Sequence, residues 1–67
     1  MEKKIVSYLL LREYSHEMLQ NAVIDYMDKG WEPFGSPSMQ YLGTEGIIFI
    51  QAVVYRENIV DNSKDMD

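Results

Sequence analysis

Residues 47–56, IIFIQAVVYR, decide the fold. Gln51 and Arg56 are the only polar residues in this run, and β-branched and aromatic side chains dominate it, which is strand composition. Ile47, Phe49, Val53 and Tyr55 fall on one face and Ile48, Ile50, Ala52 and Val54 on the other. A strand with one face in water alternates apolar with polar, and this one does not. It is expected to lie where both faces are covered.

The elements preceding it follow from the same reasoning. Gly43-Thr44-Glu45-Gly46 supplies turn chemistry just before the run. Residues 31–41, WEPFGSPSMQY, read as extended but irregular. Pro33 and Pro37 cannot donate ladder hydrogen bonds, and Gly35 between them marks a bulge, so the segment is expected at a sheet edge. Before it, Leu19, Ala22, Val23, Tyr26 and Met27 recur at helical period. Ser15 is a natural N-cap with Glu17 in the first turn, while Gly30 is a natural terminator with Trp31 placed to pack back on the last turn. A helix over 15–29 is expected. Residues 4–12, KIVSYLLLR, form a first strand with faces Ile5, Ser7, Leu9, Leu11 and Val6, Tyr8, Leu10. The order is β-α-β-β, an α+β domain over residues 1–56 with one amphipathic helix on a small, mostly antiparallel sheet. Residues 57–67 hold four acids and one Lys and are expected to form a flexible acidic tail.

Sixty-seven residues allow one domain. With no Cys there are no disulfides or thiolate metal sites to staple it. One helix covers one sheet face, yet two strands are apolar on both. A patch of that size is more than monomers usually expose, so a homodimer or higher oligomer is expected to cover it, with Val6, Tyr8, Leu10, Ile48, Ile50 and Val54 at the interface.

The order strand–helix, then Gly30-Trp31-Glu32-Pro33-Phe34-Gly35-Ser36-Pro37, then Gln51-Ala52-Val53-Val54, resembles a family of small bacterial and phage proteins, domain of unknown function 1737. The resemblance spans residues 5–55 and implies the β-α-β-β fold, with no catalysis attached. Where that family often has Tyr before the Gln, this chain has Ile50.

Catalytic candidates are few. His16, the only histidine, sits at a helix start with no evident partner. The serines are explained by capping and turns, and no metal-ligand spacing stands out. The expectation is a non-enzyme without cofactor or metal. No segment is long and apolar enough for a signal peptide or membrane span, so a cytoplasmic protein is expected.

The net charge of -5 and a pI near 4.6 argue against direct binding to nucleic acid or anionic membranes. Residues 15–46 hold five acids against one base. With Leu19 at zero, Glu17, Asn21, Asp25 and Asp28 fall at about 160°, 200°, 240° and 180°, an outward acidic ridge about 16 Å long. Such a ridge is either an ordinary solvated helix face or a partial imitation of duplex phosphate, suited to the basic surface of a host nucleic-acid-binding protein. On the second reading Glu17, Asp25, Asp28 and Glu32 carry recognition, as in a phage inhibitor. An alternative is an oligomeric sponge for nucleotide signals, with Arg12 and Arg56 on phosphate and Trp31 and Tyr41 stacking on bases. A third is a plain adaptor whose uncovered apolar face binds another protein.

Overall fold

The computed structural model describes residues 3–58. Strand β1 (Lys3–Glu13) leads to helix α1 (His16–Asp28), strand β2 (Glu32–Tyr41), a short 3-10 turn (Gly43–Glu45) and strand β3 (Ile47–Asn58). The strands form one antiparallel sheet in the order β1-β3-β2. The β-α-β-β order and the α+β class are therefore as read from the sequence. Strand β3 runs two residues past the expected domain limit at 56. The acidic tail beyond it, with Asp61, Asp65 and Asp67, lies outside the described residues.

The sheet order explains why residues 47–56 are apolar on both sides. β3 is central, flanked by β1 and β2, which both run antiparallel to it and hence parallel to each other. The chain must cross from one edge to the other between β1 and β2, and a crossover of this kind needs a helix or long loop. Helix α1 provides it and lies on the face that carries Phe49, Gln51, Val53 and Tyr55. Val53 beneath it is 0% exposed, and Leu19 is the buried residue of the helix.

Both helix ends are built as the sequence implies. Ser15 is extended, and its Oγ accepts a hydrogen bond from the Met18 amide at 3.1 Å. At the other end the Gly30 amide donates to the Met27 carbonyl and the Trp31 amide to that of Tyr26, each at 3.0 Å. These are the two hydrogen bonds of a Schellman stop. The Trp31 ring lies 5.5 Å from the Tyr26 ring, centroid to centroid, and 5.7 Å from that of Tyr55. Gly30 has φ +97°, and a Cβ built there would lie 3.1 Å from Cε1 of Tyr55. Both the backbone angle and the close ring favour glycine.

Two irregularities change the faces expected from strict alternation. In β1 the register shifts between Ile5 and Ser7: Ile5 pairs with Arg56 and Ser7 with Tyr55. Val6 is thus the extra residue with no partner across. Ile5 joins Tyr8 and Leu10 on the face away from the helix, instead of sharing a face with Ser7, Leu9 and Leu11. In β2 the register shifts between Phe34 and Ser38, so the Gly35-Ser36-Pro37 stretch bulges from the ladder as Gly35 and the prolines imply.

Replacing Gly30 with Ala is expected to lower unfolding stability by about 1–3 kcal/mol, the usual cost of a strained left-handed residue plus a tight contact. Urea denaturation followed by circular dichroism measures it. A change below a few tenths of a kcal/mol would show that Tyr55 moves aside freely.

Candidate functional site

The face of the sheet away from α1 carries Ile5, Tyr8, Leu10 and Arg12 from β1, Ile48, Ile50, Ala52, Val54 and Arg56 from β3, and Glu32 and Phe34 from β2, by ladder pairing. No other described element covers it. It is nevertheless partly closed by its own side chains. Tyr8 stands opposite Val54 and Phe34 opposite Ala52, on the two outer strands. Their rings meet across β3 edge to face, 6.4 Å between centroids. The small Ala52 leaves room for that contact, and Val54 is 0% exposed.

This alters what the expected interface residues offer. Ile48 and Val54 are buried within the chain, and Ile50 is half-buried. They present little surface to a partner. Tyr8 at 58%, Leu10 at 53% and Phe34 at 45% remain exposed. Phe34 belongs to this surface too, although it was not among the expected interface residues. Its place depends on the β2 register, which a strand interrupted by two prolines does not reveal.

Glu32 and Arg56, expected at two different sites, form an ion pair with each other through the Arg56 Nε and a Glu32 carboxylate oxygen. Glu32 is thereby withdrawn from the free acidic ridge and Arg56 from any phosphate. Arg12 does not help Arg56 make a phosphate clamp within one chain. It pairs opposite Ile50, six residues along β3 and therefore about 20 Å away. Trp31 is half-buried between Tyr26 and Tyr55, while Tyr41 stands exposed at the far end of β2. These four residues do not converge on a single pocket. Glu17, Asp25 and Asp28 are exposed on α1, as their helical angles require. Among the described residues there is no group of three or more His, Asp or Glu placed to hold a metal ion, and no helix long and apolar enough to cross a membrane.

A second feature lies on the helix side. The bulge in β2 stands off from α1 and leaves a groove of about 360 Å³, lined by Leu19, Val23 and Ile24 from the helix, Pro37 and Met39 from β2, and Phe49 from the floor. His16 enters its wall and lies edge to face with Phe49 at 6.2 Å. The bulge is held by Gln51, which is 6% exposed. Its Nε2 donates to the carbonyls of Phe34 at 3.3 Å, Gly35 at 3.2 Å and Ala52 at 2.8 Å. An amide nitrogen has two hydrogens, so at least one of these bonds is shared. The amide compensates for the ladder bonds that the bulge and Pro37 remove.

The two sequence signatures are thus one structure: Gln51 of the last strand clamps the bulge of the Gly-Ser-Pro segment, and Gly30 seats Tyr55 of that same strand. A family model, "Domain of unknown function (DUF1737)", matches residues 5–56. The chain belongs to this family. No curated protein and no solved structure matches it. In this DUF1737 chain the Gly30–Pro37 and Gln51–Val54 residues meet in a helix stop, a bulge clamp and a strand pairing, which are structural tasks.

Gln51→Leu removes the clamp and is expected to cost about 1–3 kcal/mol, the price of carbonyls left without a donor. Gln51→Glu places a carboxylate against those carbonyls and is expected to cost more at neutral pH. Burial and the facing carbonyls raise the introduced carboxyl's folded pKa above its unfolded value of about 4.3. Protonation then favours the folded state, so the excess loss of Gln51→Glu over Gln51→Leu should shrink as the pH falls from neutral toward about 4. Paired urea melts across that range check the sign.

Proposed function

We propose that this protein is a non-enzymatic binding protein of the cytoplasm that pairs with a second copy of itself and engages a basic protein partner. One observation carries the reading: the sheet face opposite α1 exposes Tyr8, Leu10 and Phe34 side by side, with no described element over them. Large apolar side chains left in water forgo about 1.5–3 kcal/mol of burial each. A three-stranded face about 35 Å long and 14 Å wide offers a footprint of roughly 500 Å². Two copies together bury about 1,000 Å², at the lower bound for a specific interface. The same surface on both copies makes the two-fold contact self-complementary.

Such a dimer turns both helices outward and presents Glu17, Asp25 and Asp28 to solvent. Their charge, with a net -5 per chain, favours basic surfaces, including those that nucleic-acid-binding proteins use for phosphate. The 20 Å between Arg12 and Arg56, and the engagement of Arg56 by Glu32, weigh against the nucleotide-sponge reading.

Tyr8→Glu and Leu10→Glu place charges on the proposed dimer face. Sedimentation velocity is expected to find a dimer for the wild type and a monomer with unchanged helix content for each variant. A wild type that remains monomeric at the highest workable concentration contradicts the self-association. In a lysate pull-down, Asp25→Lys with Asp28→Lys is expected to lose the captured basic protein while remaining dimeric. Capture that survives both the charge reversal and high salt would remove the acids from recognition.

A further inference from the structure

We infer that the groove between α1 and the β2 bulge is where the basic partner docks, and that the docked segment is extended, with one large apolar side chain flanked by Lys or Arg. This rests on the protein-binding reading above and names the chemistry of the partner. The floor and walls are mostly apolar, with Leu19, Val23, Pro37, Met39 and Phe49 joined by His16 and Gln51. The outer lip is formed by Gln20 and Ile24, and Glu17 and Asp28 continue that helical row beyond either end of it, because residues three and four apart stack along one side of a helix. Gln20 and Ile24 line the groove, and Ile24, which lies outside the core stripe, is 46% exposed. There it is placed to pack against an incoming side chain.

The charge of that lip is uncompensated. Among the described residues neither Glu17 nor Asp28 forms an ion pair. Lys29 is the only Lys or Arg between Ser15 and Gly30, and its Nζ lies 5.0 Å over the ring of Tyr26, a residue of the core stripe. The facing wall, Pro37-Ser38-Met39, is uncharged. The groove is therefore a mostly apolar slot whose outer helical row runs on to an acid past either end, complementary to a segment that is apolar in the middle and basic at both ends.

Spacing sets the register of that segment. Eleven residues of helix separate Glu17 from Asp28, about 16 Å at 1.5 Å per residue. An extended chain covers about 3.3 Å per residue, so bases two residues to either side of the anchor span about 13 Å, and their long side chains cover the remainder. An acidic segment of the same shape meets like charge at both ends. In a second copy the described run with bases at both ends, Lys3–Arg12, is already hydrogen-bonded into its own sheet as β1.

The test is amide-resolved NMR of the full-length protein titrated with the peptide SKSFSKS, against SESFSES and SKSASKS as controls. Millimolar SKSFSKS is expected to shift the resonances of Val23, Ile24, Met39 and Phe49, while the two controls leave them in place. Glu17→Lys with Asp28→Lys should weaken that binding at least tenfold, with a folded spectrum and an unchanged sedimentation coefficient. Ile24→Ser should weaken it severalfold. Shifts confined to Tyr8, Leu10 and Phe34, equal shifts with SESFSES, or no shifts at all would overturn the proposal. Groove resonances that move on dilution of the protein alone would assign the groove to a second copy and overturn it as well. A wild type that sediments as a monomer yet still shows the peptide shifts would refute only the self-association.

Discussion

The central position of β3 is the constraint on which the rest of this molecule depends. A strand paired on both sides can lose neither ladder, and a strand under a helix on one face must still find cover on the other. Val53 and Val54 are both fully buried although they point to opposite faces. One lies beneath α1; the other lies where Tyr8 and Phe34 reach across β3 to each other. The helix crossover, the parallel relation of β1 to β2 and the placement of both irregular strands at the edges all follow from setting β3 in the middle.

The bulge in β2 is the point where the fold and its two uncovered surfaces connect. On one side of the sheet it sets Phe34 in the register that brings its ring to Tyr8. On the other it holds Pro37, Ser38 and Met39 away from the helix and opens the groove. Gln51 ties these consequences together, since a buried amide donating to Phe34 and Gly35 holds the irregular backbone in one place. An aliphatic residue at this position leaves those carbonyls without that donor.

Much of the local structure was legible because it depends on neighbours in sequence. Ser15 caps, Gly30 stops and Trp31 folds back through contacts spanning at most five residues. The edge placement of β2 followed from two prolines, since a missing amide is costly on an inner strand and harmless on an outer one. The face assignment in β1 failed at Ile5 and Val6, because nothing in KIVSYLLLR marks the register shift: only pairing with β3 reveals it. The same limit hid the groove and the role of Phe34, both of which depend on how far β2 departs from its partner.

The candidate sites divide along the same line. That α1 turns an acidic face outward is dictated by its 3.6-residue repeat, and the exposure of Glu17, Asp25 and Asp28 agrees with it. That Glu32 and Arg56 neutralise each other is not, because they are twenty-four residues apart and meet only when β2 pairs with β3. Sequence alone determined the elements, their order, the helix ends and the acidity of the helix, since each is fixed by local backbone chemistry and periodicity. The tertiary structure decided which strand is central, which aromatics cover its open face and which charges remain free, because these depend on registers between segments distant along the chain.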